Sequence, residues 1–130
     1  MRMADRVARF NRRVANPIQM LWAGWAPTYA IVEHRGRTSG KAYRNPVTIF
    51  DATVDGAPTV AIALPYGPDR DWVKNLLAAG GGQLRSRGHT ITVTEPRVVP
   101  KSQAEAYITG RAGMFRRIPC AHAILLTVAP

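Results

Sequence analysis

The segment HRGRTSGKAYRNPV, residues 34–47, concentrates residue types that bind anions. Guanidinium and ammonium groups donate charge-assisted hydrogen bonds to phosphate and carboxylate oxygens. Glycines at Gly36 and Gly40 would let backbone amides converge on such an anion as a nest. We therefore predict an anion site here, with a solvated turn as the alternative. Four cations lie within ten residues, with no acidic residue among them: Arg35, Arg37, Lys41 and Arg44.

This segment differs from the P-loop of nucleotide-binding proteins. The P-loop pattern has one more residue between its glycines, and a Ser or Thr that binds magnesium follows its lysine. In this chain Ala42 follows Lys41, and Gly40 comes one position too early. Strands are predicted on both sides of the loop, so no helix dipole faces an anion there. The segment is therefore predicted to be a hairpin loop that needs no metal.

A second stretch, residues 64–82 (LPYGPDRDWVKNLLAAGGG), predicts a loop followed by a helix. Asp71 is a suitable N-cap for a helix over residues 72–79, and Gly80 supplies a left-handed residue that ends it. Asn75 then lies on the apolar face of this helix, where its amide needs hydrogen-bond partners. A backbone carbonyl or a bound ligand would satisfy the amide equally well.

The loop before this helix is stiffened by Pro65 and Pro68. Gly67 between them would let backbone amides approach a flat ligand closely. Tyr66 could stack on such a ligand or donate a hydrogen bond to it. The two stretches together favour a ligand that is both flat and anionic.

Other kinds of catalytic site find no support in the sequence. No G-x-S-x-G segment indicates a nucleophile elbow. The three histidines lack the spacing of a metal site, and Asp69-x-Asp71 lacks the later ligands of a calcium loop. With only eight acidic residues, hydrolysis by paired carboxylates is a poor fit. We therefore expect a bound cofactor to carry the chemistry.

Length and composition indicate one globular domain with a sizeable core. The chain has 130 residues, of which 46% are apolar, and a formal net charge of +10. Residues 1–44 hold nine basic and two acidic residues, so this part of the chain in particular is expected to meet an anionic partner. One cysteine, Cys120, allows no internal disulfide and fits the cytoplasm.

An N-terminal unit, residues 1–27, is predicted to hold a basic amphipathic helix over residues 3–14 and an apolar connection. Apolar side chains recur at helical spacing, and arginines occupy the remaining surface. Such a helix could bind an anionic membrane surface, or pack on its own domain with a solvated basic face. The apolar connection is too interrupted to span a membrane.

The remaining residues, 28–130, are predicted to form a mainly β (α+β) domain. Short helices are expected over 72–79 and 102–108. Six strands in meander order with few helices favour a small closed or nearly closed barrel, which removes exposed strand edges. The strands are expected over residues 28–33, 43–50, 58–64, 83–87, 90–95 and 123–128.

Residues 29–100 resemble the deazaflavin-dependent nitroreductase family of split β-barrel oxidoreductases. The resemblance rests on HRGRTSGKAYRNPV, then ALPYGPDRDWVKNLLAAGG, then TEPRVV, in that order and spacing. It implies a split β-barrel of about six antiparallel strands. It also implies use of reduced coenzyme F420, a deazaflavin, to deliver a hydride to a quinone, nitroaromatic or activated alkene.

The resemblance also implies which residues meet the coenzyme. The phosphate and polyglutamate tail would be bound by Arg37, Ser39, Gly40, Lys41 and Arg44. The path to the ring and the ring itself would be lined by Pro46, Val47, Leu64, Pro65, Tyr66 and Gly67. The same pocket would be closed by Asp69, Trp72, Asn75 and Leu76. Tyr66 and Tyr107 are the candidate catalytic residues, as donors of a proton to the substrate.

Three alternatives stay open at this point. An FMN-dependent split-barrel oxidoreductase would share the fold, and a barrel could bind a cofactor or lipid without turnover. A nucleic-acid module would explain the basic charge, but the few aromatic residues do not interleave with the cations as a base-stacking face would. Split-barrel proteins often form homodimers, which is an analogy of fold alone.

Overall fold

The structure is a computed structural model that describes residues 28–86 and 88–130. The predicted helix over residues 3–14 and the unit 1–27 lie outside these residues. The described chain contains six strands and three short helices. The strands are β1 (Thr28–Arg35), β2 (Ala42–Val54), β3 (Ala57–Ala63), β4 (Gly81–Ser86), β5 (His89–Pro100) and β6 (His122–Val128). The helices are α1 (Asp71–Ala79), α2 (Lys101–Glu105) and α3 (Ala112–Arg116).

The strands close into a barrel in the order β1-β2-β3-β6-β5-β4, with every neighbouring pair antiparallel. This confirms the predicted fold class. The meander order holds within β1-β2-β3 and within β4-β5-β6, but β3 does not pair with β4. Instead α1 carries the chain between the two halves, and the barrel closes through β1–β4 and β3–β6 pairing. Closure leaves no free strand edge along these pairs.

Alternation along the strands divides the apolar residues between two core clusters. One cluster gathers inward-facing residues from all six strands, together with Val73 and Leu76 of α1. The other lies on the opposite face of β2, β3, β5 and β6 and is covered by Ala104 of α2 and Phe115 of α3. Phe50 meets Phe115 edge to face, with ring centroids 5.2 Å apart.

The tight turns contain the residue types that positive φ angles require. Asp55 and Gly56 both have positive φ, 51° and 80°, as the two-residue hairpin turn between β2 and β3 requires. Gly80 ends α1 at φ 76° in the left-handed conformation, which confirms that prediction.

Helix α1 begins at Asp71, one residue earlier than predicted, and Arg70 occupies the N-cap position without a side-chain cap. The Asp71 carboxylate faces the guanidinium of Arg37 at 3.3 Å. The predicted capping role of Asp71 is therefore wrong, since its side chain pairs with the hairpin loop.

The chain between β5 and β6 departs most from the predicted elements. The helix expected over residues 102–108 ends at Glu105, because Ile108 forms a β-bridge with Ala52 of β2. Strand β5 continues past the predicted end at residue 95 through a bulge between Thr94 and Arg97. Helix α3 was not predicted.

Candidate functional site

The loop that joins β1 to β2 is closed by its own hydrogen bonds. The Gly36 amide donates to the Lys41 carbonyl at 2.8 Å, and the Gly40 amide donates to the Gly36 carbonyl at 2.9 Å. The Lys41 amide donates to Ser39 Oγ at 3.1 Å. Gly40 adopts φ 72°, which a side chain would strain.

The predicted backbone nest is therefore wrong in its main feature. The amides of Gly36, Gly40 and Lys41 are used inside the loop, and the Arg37 amide donates to Asn75 Oδ1 at 3.1 Å. These amides do not point together at a ligand. These four amides are already hydrogen-bonded within the protein.

A chain of side-chain hydrogen bonds ties the loop to α1 and to β2. Asn75 Oδ1 accepts from Arg37 Nη1 at 2.8 Å, while Asn75 Nδ2 lies 3.0 Å from His34 Nδ1. His34 Nε2 lies 2.6 Å from Asn45 Oδ1. Asn75 is only 3% exposed and His34 only 8% exposed. The partners of the mid-helix amide are thus the side chains of Arg37 and His34 and the backbone N–H of Arg37, and not the backbone carbonyl considered above.

The register of β1 and β2 explains why His34 and Asn45 meet. His34 lies opposite Tyr43 and Val32 lies opposite Asn45, so His34 and Asn45 are diagonal neighbours on one face of the hairpin. The His34 and Tyr43 rings also stack, with centroids 5.7 Å apart. Two antiparallel strands and one helix turn therefore fix a polar cluster, which consists of His34, Arg37, Asn45 and Asn75.

Between this hairpin and the N-terminal half of α1 lies a cleft of about 660 Å³. Three arginines and two aspartates lie along it, which leaves a small positive excess at neutral pH. Trp72 contributes a half-buried aromatic surface at one side. The cleft is lined by His34, Gly36, Arg37, Thr38, Ser39, Tyr43, Arg44, Asn45, Asp69, Arg70, Asp71, Trp72 and Asn75.

The arginines of the cleft differ in how firmly they are held. Arg37 is fixed by Asn75 and pairs with the exposed carboxylate of Asp71. Arg44 is 66% exposed and lies 4.0 Å from Glu33, so its guanidinium is largely available to a ligand. Exposed ion pairs of this kind stabilise a fold by only about 0–1 kcal/mol. These ion pairs therefore contribute little to the stability of the fold.

Six of the sequence-predicted cofactor-binding residues line the cleft: Arg37, Ser39, Arg44, Asp69, Trp72 and Asn75. Lys41 and Gly40 belong to the same loop without lining the cleft, and Lys41 Nζ lies 5.7 Å from the centre of the Tyr43 ring. Val47 packs against the barrel core, while Leu64 and Leu76 are buried within it. Pro46 and Pro65 are exposed at the surface.

The two candidate catalytic tyrosines do not line the cleft. Tyr66 is 81% exposed and lies with its ring centre 5.6 Å from the Arg70 guanidinium carbon, so it stands beside the cleft edge. Gly67 follows at φ 88° and its amide donates to the Leu64 carbonyl. Tyr107 packs against the second core cluster, and its carbonyl accepts from the Thr53 amide. The structure thus brings neither tyrosine into contact with the polar cluster.

Seven cleft residues were absent from the predicted site: His34, Gly36, Thr38, Tyr43, Asn45, Arg70 and Asp71. For His34 a sequence signal existed, because strand alternation places it on the same face as the buried Val32. For Asn45 the signal was the hairpin register, which follows only when the length of the loop is known.

Residues 28–86 and 88–130 contain neither a metal-site arrangement nor a membrane-spanning helix. No group of three or more His, Cys, Asp or Glu side chains is arranged to hold a metal ion among them. Within the same residues, no helix is long and apolar enough to cross a membrane.

No protein-family model matches the chain, and no curated protein matches it. A solved structure described as a domain-swapped dimer is similar to this chain over 92% of its residues and 98% of that chain. The two share 11% sequence identity with a TM-score of 0.48. The expected homodimer, and contact of residues 1–27 with a membrane, stay predictions.

Proposed function

We propose that the protein is a coenzyme F420-dependent oxidoreductase, in which reduced deazaflavin gives a hydride to a quinone, a nitroaromatic or an activated alkene. The observation that carries this proposal is the cleft between the β1–β2 hairpin and α1. It combines arginine side chains with the half-buried ring of Trp72 in a volume of about 660 Å³. The sequence resemblance described above supports the same ligand.

The chemistry of the cleft fits the chemistry of this coenzyme. The coenzyme has a flat ring system at one end, followed by a phosphodiester and a polyglutamate tail. Arg37 and Arg44 can donate charge-assisted hydrogen bonds to phosphate or carboxylate oxygens, and Ser39 can donate from its hydroxyl. Trp72 and Tyr43 supply aromatic surface within the same cleft.

In this proposal the chain contributes binding and orientation. The bound coenzyme supplies the hydride, and the polar cleft fixes where it lies relative to a substrate. Arg37 is held in place before any ligand arrives, because Asn75 accepts from both its amide and its guanidinium. Tyr66 is the residue we propose as proton donor, since it lies beside the cleft-lining Arg70. Tyr107 is not proposed, because it packs against the second core cluster.

A paired titration tests the proposal. Coenzyme F420 and FMN are titrated separately into the protein and into Trp72→Phe while tryptophan fluorescence is followed. We expect F420 to bind more tightly than FMN and to quench the native protein more than the Trp72→Phe variant, because Trp72 lines the cleft. Binding of both ligands is checked by calorimetry, which does not depend on the fluorophore.

Turnover is tested next with reduced F420 and a panel of quinones, nitroaromatics and activated alkenes. Oxidation of the coenzyme that depends on the acceptor would support an oxidoreductase. Tight F420 binding with no oxidation by any acceptor would favour a binding protein without turnover. Tighter binding of FMN, or a protein that purifies with FMN, would contradict the proposal and favour a flavin enzyme.

A further inference from the structure

The hydrogen bonds around Asn75 determine the tautomer of His34. An arginine amide and a guanidinium can only donate, so the Asn75 oxygen must face Arg37. The Asn75 NH₂ group must then face His34 Nδ1 and donate to it. Nδ1 therefore carries no proton, and the neutral ring carries its proton on Nε2. That proton is donated to Asn45 Oδ1, which can only accept.

We propose that His34 is a positioning residue of the anion site, and that its neutral Nε2–H tautomer holds the Asn75 amide in the orientation that fixes Arg37. The inference rests on the proposed function only in taking the cleft as an anion site. His34 acts through Asn75, and Asn75 acts on the guanidinium that meets the ligand. The chain of contacts is buried at His34 and Asn75 and reaches the cleft at Arg37.

Protonation of His34 would break this arrangement at one point. A proton on Nδ1 would face the Asn75 NH₂ group, and two donors cannot share a hydrogen bond. If the Asn75 amide turned over to offer its oxygen to His34, its NH₂ group would face the two donors of Arg37. The first outcome sets two donors against each other next to Arg37, and the second releases Arg37 from its buried acceptor, so protonation of His34 is expected to weaken anion binding.

The groups around His34 come from β2 and α1. From β2, Tyr43 stacks on the ring and Asn45 accepts from it. From α1, Asn75 donates to it, and Asp71 of that helix reaches only Arg37. The other charged groups that line the same cleft are Arg44, Asp69 and Arg70. The neutral Nε2–H form is the one that satisfies every hydrogen bond of the ring.

The tautomer can be measured without any ligand. Nitrogen-15 chemical shifts of the His34 ring distinguish a protonated Nε2 from a protonated Nδ1. We expect the neutral ring to carry its proton on Nε2, and the Arg37 amide resonance to move when the ring is protonated. The proposal would be overturned by a neutral ring with its proton on Nδ1. It would also be overturned by an Arg37 amide resonance that does not move when the ring is protonated.

The consequence for binding is tested with F420 over a pH series in which its phosphodiester and carboxylates stay ionised. We expect native affinity to fall about tenfold as His34 becomes protonated, a change opposite to the one that added positive charge alone would cause. His34→Gln, which offers one donor and one acceptor without titrating, should bind with little dependence on pH. The matched control His89→Gln, a change in β5, should keep the native pH profile.

The variant Asn75→Asp is expected to show the opposite pH dependence of its affinity for F420. A carboxylate accepts from Arg37 with one oxygen and from a protonated Nδ1 of His34 with the other, so this variant should bind F420 more tightly as the pH falls. A native affinity that rises at low pH, or a pH profile that His34→Gln leaves unchanged, would contradict the positioning role.

Failure of this inference can be told apart from failure of the proposed function. If F420 does not bind at any pH, the proposed function fails, and the same pH series is run with inorganic sulfate as the anion. If F420 binds and its pH profile is unaffected by His34→Gln, the proposed function stands and the inference is lost.

Discussion

Asn75 is a polar residue in the middle of a helix, yet it is almost completely buried. Such a group destabilises a fold by about 1–3 kcal/mol unless it finds partners. Here it accepts from both donors of Arg37 and donates to His34, so its burial is compensated. The same contacts hold Arg37 in the conformation that meets the cleft. A single side chain therefore joins the stability of α1 to the shape of the candidate site.

Arg44 allows a residue-level test with a matched control. Arg44 and Arg85 both lie near the carboxylate of Glu33, at 4.0 and 3.8 Å, but only Arg44 lines the cleft. We expect Arg44→Ala to weaken F420 binding about fivefold, equivalent to roughly 1 kcal/mol, because an exposed charge contributes modestly. Arg85→Ala removes the same charge and should leave the affinity within about twofold of native. Calorimetric titration measures both, and equal losses would point to a general effect of net charge.

The loop cations also differ from one another in what they reach. Lys41 lies against the Tyr43 ring and does not line the cleft. We therefore expect most of the loss in a Lys41→Ala, Arg44→Ala double variant to come from Arg44. The single variants measured beside the double one separate the two contributions. A loss as large in Lys41→Ala alone would contradict this assignment.

Helix α1 is the element that brings the two predicted stretches together. It carries the chain from β3 to β4, packs Val73 and Leu76 into the barrel core, and presents Asn75 to the hairpin loop. Its close packing leaves no room at Gly82, where a Cβ would lie 2.6 Å from a Leu76 methyl carbon and 3.0 Å from the Glu33 carbonyl. Helix α1 and β4 are therefore in close contact at this point.

Two glycine-to-alanine variants, one at the end of α1 and one inside α3, are expected to change the free energy of unfolding in opposite directions. Gly80 has φ 76°, so Gly80→Ala is expected to lower the free energy of unfolding by about 1–2 kcal/mol, the cost of a left-handed non-glycine residue. Gly113 lies inside α3 without a positive φ, and its added Cβ would meet nothing closer than 3.9 Å. Gly113→Ala should therefore stabilise by about 0.5–1 kcal/mol. Urea unfolding measures both free energies. Two changes of the same sign would contradict the role given to the φ angle at each glycine.

At the scale of the whole molecule, the net charge of +10 attracts any polyanion. A general attraction and a defined cleft differ in their dependence on salt and on single residues. Binding to duplex nucleic acid through many phosphates falls steeply with salt, while a ligand held by a few arginines shows a shallow slope. The net charge by itself therefore does not identify the ligand.

A salt series with two ligands separates these cases. We expect the affinity for F420 to fall gently between low and physiological salt, and Arg44→Ala to reduce it throughout. Binding to a duplex DNA fragment should fall steeply with salt and should change little in Arg44→Ala. Fluorescence anisotropy with labelled DNA and calorimetry with F420 measure the two slopes. Tight DNA binding at physiological salt that Arg44→Ala abolishes would favour a nucleic-acid function for the cleft.

The sequence by itself determined the features that depend on local chemistry. Alternating β-branched residues predicted the strands. Asp55-Gly56 predicted the hairpin turn and Gly80 predicted the end of α1, because few residue types adopt positive φ angles. The sequence also predicted that the basic loop and the helix that contains Trp72 lie close together. Arg37 and Asn75, which are 38 positions apart, are hydrogen-bonded to each other in the structure.

Only the tertiary structure decided which atoms of these stretches face the cleft. The loop uses its own amides internally, so the predicted nest gave way to side chains. His34 and Asn45 line the cleft although they were not predicted to, because the hairpin register makes them diagonal neighbours. Tyr107 lies away from the cleft because the chain after α2 pairs with β2. Hydrogen-bond direction and strand register are long-range properties. They depend on where a partner many residues away comes to lie, and residue type alone does not specify that.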